Sequence, residues 1–327
     1  MKSMIRLCAR TAAVGLIVVA IPSGPQTTLE PDTSKHRVSS VAVDSGVDLE
    51  LLDWGGDGLP LFLLAGLGGT AHGFDEFARH FTDRFHVLGL TRRGFGASSH
   101  PPTGYDVGTL ARDISRVVDK VGAQRVVLVG HSLGGDEITK FAGTYPDRVS
   151  ALVYLDAAYD RTREPQTPLP AQPMNKEDRA SIETVNSYLM RIYGWRLPEA
   201  ELRATLEFGP DGQFIRAKTS GEVYRQVMQG LERPAYDKVR VPALAIYAPA
   251  ELRFMFPDYA SFDAGRNAQA ERVIEEWKKW SALSISQFRQ EVARGRVVVA
   301  DSGGHGIFLT NEADVVRLMR AFLGEVL

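Results

Sequence analysis

Val126-Val127-Leu128-Val129-Gly130-His131-Ser132-Leu133-Gly134-Gly135 runs an apolar, β-branched strand pattern into a Gly-x-Ser-x-Gly pentapeptide. Glu137, Ile138, Phe141 and Ala142 continue it with helical spacing. This is the setting of a nucleophile elbow, a sharp strand-to-helix turn that holds a serine hydroxyl clear of the backbone. The glycines have a steric reason. A serine in strained geometry crowds the residues two before and two after it, and Gly130 and Gly134 carry no β-carbon to clash.

Working outward, Arg296 to Ala300 reads as a strand, followed by Asp301-Ser302-Gly303-Gly304-His305-Gly306. His305 therefore sits on a glycine-flanked loop where an imidazole can be aimed freely, and a helix from Glu312 to Leu323 closes the chain. Val241 to Tyr247 is another strand, with Glu251 just past its end. Serine, carboxylate and histidine in this chain order fit an acyl-transfer triad: Ser132 attacks, His305 takes its proton, and Glu251 orients and stabilises the imidazolium. Asp156, ending the strand Val149 to Leu155, is the alternative acid.

These features together resemble the α/β-hydrolase superfamily, specifically its cap-bearing serine esterases, from about Val38 to the C-terminus. Leu61-Phe62-Leu63-Leu64-Ala65-Gly66-Leu67-Gly68-Gly69 is similar to the family's first central strand and oxyanion loop. Thr91-Arg92-Arg93-Gly94-Phe95-Gly96-Ala97-Ser98 is similar to its Asp-x-Arg-Gly-x-Gly-x-Ser turn. Ala65 stands where the family usually has His, and Thr91 where it usually has Asp. The resemblance implies an oxyanion hole built from the amides of Leu67 and Leu133. It also speaks against epoxide hydrolase or dehalogenase chemistry, because relatives with those activities carry Asp at the position of Ser132.

A chain of 327 residues, 44% of them hydrophobic, can bury a full core, and one α/β domain with a small cap fits it. With 38 basic against 40 acidic residues and no basic block, nucleic acid is not an expected partner, nor is a stable membrane partner. No Gly-rich phosphate loop with Lys and no dinucleotide fingerprint is present, so no cofactor is expected. Lys2, Arg6 and Arg10 precede an apolar run from Thr11 to Ile21, which reads as a signal peptide over residues 1–25 and implies a secreted or periplasmic protein. A retained N-terminal membrane anchor is the alternative. Residues 26–37 read as a flexible leader. The single cysteine, Cys8, lies before the apolar run, so the mature chain would have neither disulfide nor thiol chemistry.

From Val38 the expected fold is α/β: a mostly parallel central sheet with helices on both faces and a helical cap inserted after the nucleophile half, at about 157–237. Cap helices are expected near Glu177 to Ile192, Glu199 to Phe208 and Gly221 to Leu231. A second helical excursion, Phe254 to Gly295, carries Trp277, Trp280 and Phe288, read as packing residues. Tyr188 and Trp195 of the cap, with His72 near the oxyanion loop, are candidate pocket residues. Arg92 and Arg93 read as braces of the loop near the elbow. The histidines show no metal-ligand spacing, and no metal is expected.

The reading that results is a cofactor-free serine hydrolase, a carboxylic ester hydrolase acting on a small-molecule ester-like substrate, of unknown oligomeric state. A lactonase, amidase or carbon–carbon hydrolase on the same triad stays open, because fold and triad do not fix substrate. So does a ligand-binding protein with an idle triad.

Overall fold

The buried runs of the sequence pair side by side. The computed structural model describes residues 36–170 and 172–327. The strands are β1 (Arg37–Asp44), β2 (Val47–Gly55), β3 (Leu59–Leu64), β4 (Phe85–Leu90), β5 (Val126–His131), β6 (Val149–Leu155), β7 (Leu206–Phe208), β8 (Phe214–Ala217), β9 (Ala243–Tyr247) and β10 (Gly295–Val299). Eight form one sheet in the order β1-β2-β4-β3-β5-β6-β9-β10. From β4 to β10 every neighbouring pair is parallel, while β1–β2 and β2–β4 are antiparallel.

Both faces of the sheet are covered, which explains why its central strands are continuously apolar rather than alternating. Leu128 packs with Ile114, Val117, Ile138, Phe141 and Phe288 on one face. Val127 and Val129 point the other way, toward Phe74, Phe77, Phe308, Met319 and Phe322. Each such large side chain contributes roughly 1.5–3 kcal/mol relative to exposure. Strand β5, which ends one residue before Ser132, lies centrally, between β3 and β6. Its C-terminal end therefore opens where the loops after β3, β6, β9 and β10 converge, the usual place for a site in a parallel sheet.

The cap fills the interval between β6 and β9. Its helix Ile182–Tyr193 starts at a reciprocal Ser181–Thr184 capping box and stops at Gly194, whose φ is 80°. The expected helix from Glu199 to Phe208 ends at Thr205, and β7 and β8 follow as an unanticipated hairpin. Gly212 turns it at φ 80°, Phe208 meets Phe214, and Arg216 pairs across to Glu207 at 2.6 Å. These cross-strand pairs outweigh the helical spacing of the last residues. The second excursion is dominated by one 28-residue helix, Ala264–Glu291.

The signal-peptide reading of residues 1–25, Cys8 and most of the leader lie outside the described residues. The leader's last two positions are structured: Arg37 opens β1, and His36 Nδ1 meets Asp75 at 2.7 Å. Among the described residues no helix is long and apolar enough to cross a membrane.

Candidate active site

The end of β5 turns into the helix Gly134–Thr144 through Ser132, whose φ is 51°. This left-handed backbone costs on the order of 1–3 kcal/mol for a non-glycine residue, and close packing holds it. A β-carbon at Gly130 would lie 2.5 Å from the carbonyl carbon of Gly134, so only glycine fits two residues before the serine. At Gly66 a β-carbon would lie 2.9 Å from Ser132 Cβ, which shows how closely the loop after β3 approaches that serine.

His305 Nε2 lies 2.9 Å from Ser132 Oγ, and His305 Nδ1 lies 2.6 Å from Asp156 Oδ2. Asp156 directly follows β6 with φ 46°, a conformation that aspartate tolerates better than most residues. Its Oδ1 accepts from Tyr159 Oη at 2.6 Å and from the Ala248 amide at 2.9 Å. Three donors thus converge on one buried carboxylate and fix its direction. Burial, with Asp156 alongside, holds the Tyr159 phenol well above its usual range, so it stays a donor. His131 Nε2 sits 3.0 Å from the His305 carbonyl, and must carry the proton because a carbonyl only accepts. Burial, and next the neighbouring His305, keeps His131 well below the usual histidine range and therefore neutral.

Glu251, expected as the triad acid, is not brought to the histidine. It directly precedes the short helix Leu252–Met255, its side chain is about half exposed, and it pairs with Arg253 Nε at 2.8 Å. Asp156, the alternative, is the carboxylate that meets His305. The physical reason is strand order: β6 lies directly beside β5, and the segment after β6 packs so tightly on the elbow that a β-carbon at Gly135 would lie 2.3 Å from Ala157 O. The sequence offers a carboxylate directly after a strand that is apolar but for Ser150 and Tyr154, and a second one, Glu251, beyond β9, so it marks both without separating them.

Leu67 and Leu133 share a small cluster with Phe95, Tyr105, Val223 and Val227. Among the described residues neither amide hydrogen bonds to a main-chain oxygen. The loop carrying Leu67 is held by Arg92, which donates to the Ala65 carbonyl and, at 2.6 Å, to that of Gly66. Arg92 Nε in turn donates to Glu137 of the elbow helix at 2.7 Å. Arg93 braces the neighbouring helix through Asp113. Thr91, which replaces the family's Asp, donates to Glu50 Oε2 at 2.7 Å and accepts from the Ala71 amide at 3.1 Å. A carboxylate is thus supplied from β2 instead. Burial raises Glu50, but the hydrogen bonds of His72 and Thr91 outweigh it and leave Glu50 below its usual range.

A cleft beside Ser132 and His305 is walled by Tyr193, Trp195, Phe254, Phe256, Trp277 and Trp280. Trp195, a candidate pocket residue, borders this cleft. Tyr188 is not: it packs inside the cap and donates to the Gln172 carbonyl at 2.7 Å. His72 is not either, being buried 3.2 Å from Glu50. Trp277 and Trp280, read as packing, border the cleft, whereas Phe288 does belong to the core. Helical spacing says which face of Ala264–Glu291 is apolar but not that part of it faces a void. Arg161 also borders the cleft, buried and paired with Asp136 Oδ2 at 2.6 Å. Among the described residues His36, His72 and Asp75 bring donor atoms within 4.8 Å of one another, a proximity that chain spacing does not reveal.

Residues 60–208 match the family model described as the alpha/beta hydrolase fold. The chain is similar to a 2-(acetamidomethylene)succinate hydrolase of Mesorhizobium japonicum, 29% identical over 66% of this chain and 79% of that protein. It is also similar to a bifunctional esterase/perhydrolase of Acinetobacter calcoaceticus, 34% identical over 61% of this chain and 71% of the relative. Among solved structures, an E-2-(acetamidomethylene)succinate hydrolase aligns with a TM-score of 0.62 at 21% identity, covering 88% of this chain and 99% of the other. At that identity the likeness is one of fold alone.

Proposed function

The chain belongs to the alpha/beta-hydrolase fold family, and from that premise we propose that it is a serine hydrolase that cleaves carboxylic esters through an acyl-enzyme. One observation carries the reading: the line from Ser132 Oγ to His305 Nε2 at 2.9 Å and from His305 Nδ1 to Asp156 Oδ2 at 2.6 Å. Asp156 takes the Nδ1 proton's hydrogen bond, which leaves the Nε2 lone pair for the serine proton. Ser132 Oγ bonds to the acyl carbon as its proton passes to Nε2, and the carbonyl oxygen becomes an oxyanion facing the Leu67 and Leu133 amides. Collapse expels the alcohol, which leaves with the Nε2 proton. A water then repeats the sequence and releases the acid.

The walls of the cleft favour an uncharged, apolar or aromatic acyl group. A succinate, as in the name of the Mesorhizobium relative, would need a cationic partner. Arg161, the cation bordering this cleft, is already neutralised by Asp136. The esterase named among the relatives supports the ester class. Export through a signal peptide at residues 1–25 belongs to the same proposal and rests on sequence.

A fluorophosphonate probe, with an ester panel of graded acyl length, tests the reading. Stoichiometric labelling at Ser132 and loss of turnover in Ser132→Ala are expected. Labelling of another serine, or esters bound without turnover, would overturn it.

A further inference from the structure

The oxyanion loop is gripped at both ends, by different parts of the molecule. At residues 65 and 66 the grip is Arg92, which is keyed to the elbow helix through Glu137. At residue 70 it is Glu201 of the cap helix Glu199–Thr205, 131 residues away in sequence. Glu201 Oε1 accepts from the Thr70 amide at 3.0 Å, and Oε2 accepts from the Thr70 hydroxyl. Between these grips lies Leu67, and the Gly69 amide closes a turn onto the Gly66 carbonyl at 3.2 Å.

We propose that Glu201 is a positioning residue of the reaction: by fixing Thr70 it sets the direction of the Leu67 amide and ties the oxyanion loop to the cap. The inference rests on the serine-hydrolase reading above. A cap that merely needed seating would place an apolar side chain here, as it does with Val223 and Val227 against Leu67 and Leu133. A carboxylate buried to 2% exposure is instead costly, and two directional bonds to one residue are what it supplies. Burial pushes Glu201 up to about 7, against the opposing pull of its two Thr70 bonds. The charged and titratable groups around it are His72 and Glu50 below the loop and Tyr224 on the cap helix Gly221–Gln229. Within this cluster the Glu201–Thr70 pair is the contact that bridges cap and loop.

The test uses an oxyanion that forms without turnover. Ser132 Oγ adds to the carbonyl carbon of the trifluoromethyl analogue of benzylacetone, its proton passes to His305 Nε2, and the carbonyl oxygen becomes the oxyanion. Benzylacetone itself binds as an unreacted ketone. In full-length Glu201→Ala and Thr70→Val, the affinity for the trifluoromethyl ketone and kcat on an activated ester should each fall roughly 10–100-fold, the scale of a weakened oxyanion donor. Affinity for benzylacetone and KM should stay within about twofold. The double variant should lose little more than Glu201→Ala alone, because that change already removes both bonds to Thr70, of which Thr70→Val removes only the hydroxyl's. Glu201→Gln can still accept from the Thr70 amide and should recover most of the affinity. If Glu201→Ala does not fold, Thr70→Val alone carries the comparison of the two ketones.

Equal losses for both ketones would mean that Glu201 only shapes the cleft, and unchanged trifluoromethyl ketone affinity in folded variants would mean that it does not position the loop. Either result overturns the proposal. If the wild-type protein forms no adduct with the trifluoromethyl ketone, the serine-hydrolase reading itself fails and takes this inference with it.

Discussion

His305 and Asp156 meet at 2.6 Å across 149 residues of chain, with Ser132 Oγ on the far side of the same imidazole ring. Asp156 reaches that point from a left-handed backbone at the end of β6 and is held there by Tyr159 and the Ala248 amide. The acid's side of the contact therefore depends on the packing of β6 against β5 and β9, and the histidine's side on the loop after β10, whose His305 carbonyl meets His131.

Asp156→Asn should keep the fold and lower kcat on an activated ester by on the order of 10³–10⁴, because an amide cannot hold the imidazole tautomer or balance its charge. Glu251→Gln removes a half-exposed ion pair to Arg253 and should change kcat by less than about twofold. Steady-state kinetics on the two variants decide the matter. Full activity in Asp156→Asn would refute the assignment of the acid.

Trp195→Ala and Trp277→Ala should shift the ranking of acyl lengths in an ester panel, since both side chains border the cleft. Tyr188→Ala should leave that ranking alone and instead cost roughly 3–5 kcal/mol of stability, through the cavity left in the cap cluster. The opposite pattern, with Tyr188 altering selectivity and the tryptophans only stability, would mean that the cleft has been misread.

Two buried carboxylates are pushed up by burial, Glu201 to about 7 and Asp136 to about 6. A carboxyl whose folded value is raised contributes stability that is complete below its unfolded value, near 4.5 for Glu201, and is lost as pH rises through about 7. Relative to wild type, Glu201→Gln should therefore gain stability between pH 5 and 8, by on the order of 3 kcal/mol. Urea denaturation of both proteins across this interval measures the difference. A constant gap would show that Glu201 does not titrate there.

What the sequence determined by itself is whatever rests on neighbours along the chain. A β-branched run must be buried, a strained serine needs glycine two places away, and a histidine among glycines can be aimed. For that reason the central sheet, the elbow at Ser132 and the loop of His305 were legible, and so was the insertion of a cap between β6 and β9. The choice between Asp156 and Glu251 was not, because each follows a buried strand, Asp156 directly and Glu251 beyond Ala248-Pro249-Ala250, and only the packing of those strands beside β5 brings one of them to the imidazole. The aromatics of the cap and of Ala264–Glu291 present the same difficulty. Periodicity marks Tyr188, Trp195, Trp277 and Trp280 alike as apolar, while facing a cavity or facing a neighbour depends on what packs opposite. Glu201 on Thr70 and Glu50 on Thr91 are further cases, joined across 131 and 41 residues. A hydrogen bond needs two groups within about 3 Å, and for groups so far apart along the chain only the tertiary structure brings them to that distance.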